Sequence, residues 1–488
     1  MKDLVISIVF LSLVAILNVA ANPADWSQFR GSNGSGLAEK CGELPIEFGP
    51  GKNMIWKTKI PLGYSSPILT EKEIFITAYE EYNFSALGIT IYERQKLYVL
   101  ALDRRTGKIL WRQEVPANRR ENLRNLNSPA SPSPVTDGQN VYAFFTDFGL
   151  IAFTLGGKEL WRLPLGPFNN FYGLGASPIL VEDKLLMNCD QDTGSFLIAV
   201  DKLSGRVKWR VDRSEFSRGF ATPIVYKPPV GATQILVSGS FHLTAYSAET
   251  GKKLWWLGGL SWEMKSTPVM SREMIFVSGR AHGSDEGKQE NIPSFEEVLK
   301  REDVNRDSKL SPGEILDDRI RKEWDFIDLD RDGFVSERDW HFYRLRRSAT
   351  NSVTAFRLGM EGDETERCLV WRYSKTVPRV PSPLLYKNII YLMKEGGILT
   401  ALDATNGVVL KQARLEQALG DYYTSPVEAD DKIYTVSIEG KVSVIRPGKN
   451  WDVITTNDLG DECYATPAIA DGRLYIRTKG ELYCFGKK

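Results

Sequence analysis

One unit recurs along almost the whole chain and constrains its fold more than any other feature. The unit opens with Ser or Thr followed by Pro and an aliphatic residue, continues as a β-rich run, and ends in Ala-x-Asp-x-x-x-Gly-x-x-x-Trp or a variant of it. Five of the seven intervals between successive openings measure 41 to 45 residues, and the other two, of 67 and 115 residues, hold insertions. The eight opening residues are Ser66, Ser133, Ser177, Thr222, Thr267, Ser382, Ser425 and Thr466.

Each unit predicts four short strands, because runs of β-branched and aromatic residues are separated by turns that contain Gly or Pro. About 40–45 residues in four strands is the size of one propeller blade. Proline cannot donate a ladder hydrogen bond, so each Ser/Thr-Pro pair belongs on the innermost edge strand, and each Trp is expected to pack against the neighbouring blade. The chain is therefore predicted to be all-β, an eight-bladed β-propeller. A β-solenoid or two separate β-domains fit the unit length less well.

The two ends of the chain predict how the ring closes. The eighth unit stops at Cys484-Phe485 and lacks its last strand, whereas Met54 to Lys57 form a lone strand before the first unit. We expect this N-terminal strand to complete blade eight, since closure removes exposed sheet ends. The predicted divisions are an N-terminal segment at 22–53, propeller residues at 54–280 and 352–488, and an insertion in blade five at 281–351.

The insertion in blade five has a charged, helical composition and contains two twelve-residue stretches typical of EF-hand calcium loops. In such a loop, oxygens from positions 1, 3, 5, 7, 9 and 12 surround the ion, with position 7 acting through its carbonyl. Leu310 and Val335, at position 8 of each stretch, are suited to pair across the two loops. The predicted Ca²⁺ ligands are Asp303, Asn305, Asp307, Lys309, Ser311 and Glu314 in the first loop and Asp328, Asp330, Asp332, Phe334, Ser336 and Asp339 in the second.

Three departures from the usual EF-hand pair qualify this prediction. Ser308 stands where Gly is usual at position 6, and Asp339 is shorter than the usual Glu at position 12. The loops begin only 25 residues apart, so one helix, at about 314–327, is expected to serve both. Its predicted apolar stripe comprises Leu316, Ile320, Trp324 and Ile327. A metal-free helical insertion is the alternative, and the affinity expected outside the cytosol is weak, at about 10⁻⁴–10⁻³ M.

The first residues predict export. Lys2 precedes an uncharged, mostly apolar run from Leu4 to Leu17, and the small residues that end at Ala21 suit cleavage directly after it. We expect a signal peptide at 1–21 and a location in the bacterial periplasm or outside the cell, with an uncleaved N-terminal anchor as the alternative. No later segment is apolar enough to predict a membrane span. The five cysteines have no metal or haem spacing, and their odd number leaves at least one outside any intrachain disulfide.

The repeated Ala-x-Asp-x-x-x-Gly-x-x-x-Trp resembles the tryptophan-docking motif of pyrroloquinoline-quinone (PQQ) propellers. That group includes PQQ-dependent alcohol dehydrogenases and the non-enzymatic BamB-type outer-membrane assembly scaffold. Residues 26–36, Trp-Ser-Gln-Phe-Arg-Gly-Ser-Asn-Gly-Ser-Gly, are similar to the start of many bacterial PQQ-like repeat proteins. The resemblance covers 26–280 and 352–488 and implies the propeller fold, with either a binding role or a quinone and calcium at the channel mouth.

The residues themselves favour a binding role. Lys+Arg and Asp+Glu both number 62, so no net charge attracts a nucleic acid, and the three histidines lie in no catalytic spacing. No catalytic residue is assigned. We therefore expect a non-enzymatic, calcium-binding scaffold with a protein or peptide partner on one propeller face; the alternative is a PQQ-dependent oxidoreductase. PQQ has three carboxylates, and the candidates to bind it at the channel mouth are Arg218, Lys265 and Arg379, which could equally be solvated rim charges.

Overall fold

The computed structural model describes residues 26–39, 41–86, 89–117, 119, 127–281, 292–359 and 361–487. Strands dominate this part of the chain and form eight separate sheets of four or five strands. The sheets follow one another in chain order around a central channel, which confirms the predicted eight-bladed β-propeller. The predicted signal peptide, 1–21, lies outside the described residues. Within the described ranges, no helix has the length and apolar character needed to cross a membrane.

Two short strands precede the first blade, and blades one to four then follow, each with its strands ordered from the channel outward. The strands are β1 Leu37–Ala38 and β2 Met54–Lys59; in blade one β3 Ile68–Leu69, β4 Glu73–Ala86, β5 Ile89–Asp103 and β6 Ile109–Val115; in blade two β7 Val135–Thr136, β8 Asn140–Phe145, β9 Gly149–Thr154 and β10 Glu159–Pro164; in blade three β11 Ile179–Val181, β12 Lys184–Cys189, β13 Phe196–Asp201 and β14 Val207–Asp212; in blade four β15 Ile224–Tyr226, β16 Gln234–Gly239, β17 His242–Ser247 and β18 Lys253–Leu257.

Blades five to eight repeat this pattern. Their strands are β19 Val269–Met270, β20 Met274–Gly279, β21 Ser352–Arg357 and β23 Leu369–Tyr373 in blade five, with β22 Gly362–Asp363 added to blade four; β24 Leu384–Tyr386, β25 Ile389–Lys394, β26 Ile398–Asp403 and β27 Val409–Arg414 in blade six; β28 Val427–Ala429, β29 Lys432–Val436, β30 Lys441–Arg446 and β31 Asp452–Asp458 in blade seven; β32 Ala468–Ala470, β33 Arg473–Arg477 and β34 Glu481–Gly486 in blade eight.

Helices occur beside the blades. A 3₁₀ turn, Ser32–Gly34, lies in the N-terminal segment, and the helices are α1 Phe295–Glu302, α2 Asp318–Lys322, α3 Trp324–Ile327, α4 Glu337–Ser348 and α5 Thr365–Cys368. The first four belong to the insertion, which leaves blade five after β20 and returns at β21, as the sequence predicted.

The N-terminal strand closes the ring. β2 pairs antiparallel with β34, with Met54 opposite Phe485 and Lys57 opposite Tyr483, and so becomes the outer strand of blade eight. This confirms the predicted closure. β1 was not foreseen: it adds in parallel to β28 on the channel side of blade seven, with Leu37 opposite Glu428.

Neighbouring blades are joined by a Trp that lies over a Gly of the next blade. Trp161 of blade two donates its indole N–H to the carbonyl of Lys202 at 2.9 Å, and a Cβ added to Gly205 would lie 2.6 Å from its ring. Trp56 of β2 makes the same contact with Gly107 of blade one, so the closing junction repeats the internal ones. Only a glycine leaves room for the ring at these points.

Blades six and seven are joined differently, because blade six has Lys411 where blades one to five have Trp. The Lys411 ammonium donates to the carbonyl of Trp451 at 2.5 Å and lies 4.5 Å from the centre of its ring. Trp451 is buried against blade six. A cation–π contact therefore replaces the Trp-on-Gly contact at this junction.

The N-terminal segment closes one end of the channel. We call residues 26–38 the plug. Its carbonyl oxygens accept the backbone N–H groups of Leu69, Thr136 and Glu428, in the inner strands of blades one, two and seven, at 2.8–2.9 Å. Within the plug, the Arg30 guanidinium is fully buried and donates to the carbonyl of Pro383 at 2.8 Å. Burial lowers the pKa of Arg30 to about 9.

The apolar core lies between the blades. The rings of Phe75, Trp111 and Phe153, for example, are 5.8 and 5.9 Å apart across the junction of blades one and two. All five cysteines are buried as free thiols, so this fold does not depend on disulfides.

The Trp-on-Gly contact predicts the cost of adding one methyl group. Gly205→Ala should lower the free energy of unfolding by about 2–5 kcal/mol, because the new Cβ adds left-handed backbone strain and displaces Trp161. Gly138→Ala is the matched control, since Gly138 also has a positive φ but nothing lies within 4 Å of its added Cβ. Thermal and urea unfolding of both variants measure the difference. Equal losses would show that Trp docking does not require the glycine.

The plug predicts a pH dependence through Glu428, which is 6% exposed and lies opposite Leu37. Burial raises the pKa of Glu428 from 4.5 to about 7, so the folded state favours its neutral form. The stability that this provides is present below pH 4.5 and is lost as the pH rises through about 7. Glu428→Gln should therefore gain stability over the native chain, by roughly 1–2 kcal/mol, across that window. Urea unfolding between about pH 4 and 8 tests this, spanning both pKa values; a constant difference would contradict it.

Candidate binding site at the channel mouth

The channel opens opposite the plug as a cavity of about 860 Å³. Phe29 of the plug lines its inner end, and all eight Ser and Thr residues that open the repeats line its wall. A Cβ added to Gly34 of the plug would lie 3.0 Å from the Thr267 methyl, so the plug reaches this ring of residues from below. The plug therefore lies against the inner end of the cavity.

Hydrogen bonds between the opening residues join neighbouring blades around the channel. At six of the eight junctions, the backbone N–H of one Ser or Thr donates to the side-chain hydroxyl oxygen of the next, at 2.9–3.0 Å. We call these bonds the hydroxyl relay. They run from Ser66 to Ser133, Ser133 to Ser177, Ser177 to Thr222, Thr267 to Ser382, Ser382 to Ser425 and Ser425 to Thr466.

Sequence reasoning explained the proline of each opening pair but missed the role of the hydroxyl. The signal was present, since every unit has Ser or Thr at this position. An inner edge strand has N–H groups without a partner in its own sheet, and the hydroxyl of the next blade satisfies one of them.

Positive charge dominates the rim. Its acidic residues are both paired: Glu263 accepts from Lys265 at 2.8 Å, and Glu323 accepts from Arg346 at 2.9 Å. Lys375 and Arg379 are exposed and form no ion pair with described residues. The cations that line the cavity are Lys265, Arg280, Arg347, Lys375, Arg379 and Lys394.

The state of Glu263 follows from its neighbours. Burial alone would raise the pKa of Glu263, but Lys265 and Arg218 outweigh burial and lower it. These two cations therefore keep the Glu263 carboxylate ionised, and it is already engaged in ion pairs with them.

Aromatic rings stand between these charges in two patches. Tyr64 stacks on Tyr464 at 4.2 Å, and Tyr423 meets Tyr464 edge-on at 5.9 Å. Across the mouth, Tyr172 and Phe220 are 6.1 Å apart. The mouth thus combines flat apolar surfaces with cations, an arrangement suited to anchoring an extended ligand.

The structure brings two of the three predicted channel-mouth cations together. Lys265 and Arg379 line the cavity. Arg218 does not line it: its guanidinium is 1% exposed, donates to Asp192 at 2.5 Å and lies 4.9 Å from the Phe171 ring. It acts as a buried support beneath the rim.

Asp190 and Asp192 lie in the connection between β12 and β13, and both form buried ion pairs. Asp190 forms a fully buried ion pair with Arg213 at 2.7 Å, and Asp192 is paired with Arg218. The arginines come from the connection to the next blade, so nothing in the local sequence indicated these pairs.

The insertion lies beside the mouth. The Asn169 amide donates to the carbonyl of Leu329 at 2.8 Å, and the rings of Phe171 and Phe326 are 4.8 Å apart. Arg338 of α4 donates to the carbonyl of Asp192, also at 2.8 Å. The insertion therefore contributes Glu323 and Arg347 to the rim.

The two acidic loops of the insertion pair with each other as predicted. Leu310 and Val335 form an antiparallel bridge with N–O distances of 3.1 and 2.8 Å. Ser308 takes a φ of 64°, the left-handed conformation that a Gly usually supplies at this position.

The second loop gathers its acidic groups. Carboxylate oxygens of Asp328, Asp330 and Asp332 lie within 4.8 Å of one another. Burial and the neighbouring Asp330 raise the pKa of Asp328, as expected where like charges meet. Lys309 of the first loop donates to Asp332 at 2.9 Å and offsets part of this charge. The twelve Ca²⁺ ligands remain a prediction.

The shared helix between the loops departs from expectation. It is split into α2 and α3 at Glu323, and it begins at Asp318, not near Glu314, because Asp317 caps α2 by accepting the N–H of Arg319 at 2.9 Å. Ile327 is buried as predicted, but Leu316 precedes the helix and is 68% exposed. The break turns Glu323 towards Arg346 and the channel.

Comparison with known proteins defines the family. A sequence model described as outer membrane protein assembly factor BamB, a PQQ-repeat family, matches residues 95–280 and 346–488. The chain belongs to this family of β-propellers, since the matched segments span more than half of it. No curated protein sequence matches it significantly.

Solved structures share its fold at low identity. BamB from Moraxella catarrhalis is 11% identical with a TM-score of 0.52, over 89% of this chain and 98% of that protein. A europium-containing methanol dehydrogenase is 11% identical with a TM-score of 0.54, over 95% and 98%. The C-terminal WD40 domain of Sif2 is 10% identical with a TM-score of 0.50, over 92% and 100%. At such identity, these likenesses establish the fold alone.

Proposed function

We propose that this chain is an exported, non-enzymatic binding scaffold that holds an acidic segment of a partner protein in the channel mouth. The observation that carries the proposal is the rim, where six cations line the cavity and two of them, Lys375 and Arg379, form no ion pair with described residues. The other four are paired with Glu263, Glu323 and Glu395. A concave site with charge of one sign focuses its field and attracts the opposite charge. The tyrosines between the cations supply apolar contact, and the family name, an assembly factor, is consistent with a protein partner.

Charge reversal at the mouth tests this function. Lys375→Glu/Arg379→Glu should weaken binding of a fluorescein-labelled hexaglutamate peptide at least about tenfold, because both side chains are exposed and form no ion pair with described residues. Fluorescence anisotropy at low salt measures the affinity. Lys252→Glu/Lys449→Glu is the matched control, with the same charge change at exposed lysines that do not line the cavity. Equal weakening in both variants, or no binding by the native chain, would refute the proposal.

The alternative, a PQQ-dependent oxidoreductase, fits the cavity only in part. Lys265, Lys375 and Arg379 would suit the three carboxylates of PQQ. The acidic residues that calcium and catalysis would require have no match, since Glu263 and Glu323 are engaged with cations and the three-acid cluster of the described chain lies at 328–332. Adding PQQ with Ca²⁺ to the pure protein distinguishes the two functions. Quinone absorbance together with dye-linked alcohol oxidation would favour the enzyme.

We further infer that the insertion binds Ca²⁺ through the twelve predicted ligands and that the ion serves a structural role. The bridge between Leu310 and Val335 and the converging carboxylates of the second loop support this inference. An ion there would offset the repulsion among Asp328, Asp330 and Asp332. Leu329 and Arg338, both within this loop, bond to Asn169 and to the Asp192 carbonyl, and so hold the insertion against blade three and the connection before it.

Calcium binding predicts a stability change. In EDTA-stripped protein, about 10 mM Ca²⁺ should raise the free energy of unfolding by about 1–1.5 kcal/mol if the dissociation constant is about 1 mM. Asp330→Asn/Asp332→Asn should abolish this gain. Glu296→Gln/Glu337→Gln, which neutralises exposed carboxylates outside the ligand positions, should retain it. Calorimetric titration and thermal unfolding make the comparison; no heat and no stabilisation in the native chain would contradict calcium binding.

A further inference from the structure

The hydroxyl relay leaves donor capacity that faces the cavity. A hydroxyl offers one hydrogen and two lone pairs, and each relay bond uses only a lone pair. No described residue accepts the hydrogens of these hydroxyls. The residues of the ring are almost completely buried, with exposures of 1–4%. A ring of donors thus surrounds the axis of the channel.

Ser66 and Thr267 have the two ring hydroxyls that accept no relay bond. They stand at the two junctions without a relay bond, so their hydroxyls have no hydrogen-bond partner among the described residues. Both side chains line the cavity, yet their exposures are only 2% and 1%. They belong to blades one and five, on opposite sides of the eight-bladed ring. Both hydroxyls therefore face the cavity without an acceptor from the described residues, and each is free to donate to a bound ligand.

The charges around the ring select the kind of acceptor. Below it, Arg30 is fully buried, and its Nε and Nη1 atoms have no partner among the described residues. Above it stand Lys375 and Arg379, the exposed rim cations. Phe29 supplies an apolar floor without an acceptor. Arg30 does not line the cavity and contributes only its charge from within the plug. Donors on the wall with cations at the mouth favour an anion and disfavour a metal ion.

We propose that the ring of Ser and Thr hydroxyls binds a carboxylate group on the channel axis. A carboxylate accepts up to about four hydrogen bonds, and charge-assisted O–H···O⁻ bonds are roughly twice as strong as neutral ones. This inference rests on the proposed function, whose acidic segment would supply the carboxylate from a side chain or its C-terminus. A free dicarboxylate offers the same chemistry.

Ser66→Ala/Thr267→Val tests the proposal without disturbing the relay, since no N–H group depends on either hydroxyl. Valine retains the methyl that contacts the plug. The probes are succinate and two hexaglutamate peptides, one with a free C-terminus and one amidated. Binding of every probe that the native chain binds should weaken at least about tenfold, with the melting temperature changed by less than about 2 °C, because a hydrogen bond to a charged group contributes ~1.5–3 kcal/mol. Loss of only the free-C-terminus peptide would assign the carboxylate to the chain end.

Two further variants keep the test independent of folding. Thr267→Ser retains the hydroxyl and should bind as the native chain does. Ser177→Ala removes the acceptor of the Ser133 N–H and should lower the melting temperature, which separates loss of the relay from loss of the ligand. If Ser66→Ala/Thr267→Val is unstable, Ser66→Ala alone should still weaken binding, by a smaller factor.

The outcomes separate the two proposals. If hexaglutamate binds the native chain and Ser66→Ala/Thr267→Val equally, the hydroxyl ring is not the carboxylate site, although the scaffold function stands. If hexaglutamate does not bind but succinate binds in a hydroxyl-dependent way, the ring is a small-dicarboxylate site and the scaffold function fails. If neither probe binds the native chain, both proposals are overturned.

Discussion

The structure depends on the contact between one blade and the next. A single four-stranded sheet cannot bury both of its faces, so each blade is stable only when its neighbours cover it. The Trp of one blade lies over a Gly of the next, and near the channel the N–H of one inner strand reaches the hydroxyl of the following blade. The two contacts work at different radii, the first by apolar packing and the second by hydrogen bonding. Together they define the angle between blades, and the ring closes after eight.

Closure also makes the two ends of the channel different. Strand β2 completes blade eight, and the chain that precedes it crosses the opposite end as the plug. The antiparallel order of strands then places the connections between second and third strands at the mouth, where the insertion of blade five lies. One end is therefore filled by the protein itself, and the other collects cations and tyrosines from many blades around an open cavity. The proposed binding role belongs to this open end, because its cations and hydroxyls face the cavity.

In the insertion, local sequence predicted some structural features and missed others. Loop spacing predicted the Leu310–Val335 bridge and the left-handed conformation of Ser308, because both depend on residues within one loop or on the pairing of two similar loops. The same reasoning missed the break at Glu323 between α2 and α3. At the break, Glu323 accepts a hydrogen bond from Arg346, which lies 23 residues away. The helical pattern of the sequence indicated neither the break at Glu323 nor its hydrogen bond with Arg346.

The sequence by itself determined the number of blades, the strand that closes the ring and the place of the insertion, because each is written in a repeat whose residues act within one unit or between adjacent ones. The tertiary structure alone decided which charges meet. Lys265 and Arg379 reach the cavity, whereas Arg218, which also shortly precedes an inner strand, is buried against Asp192. The relay hydroxyls face one axis only because eight units, far apart in the chain, are rotated about it. The charges and hydrogen-bond donors at the mouth come from residues of all eight blades, so the sequence of one repeat does not reveal the site they form together.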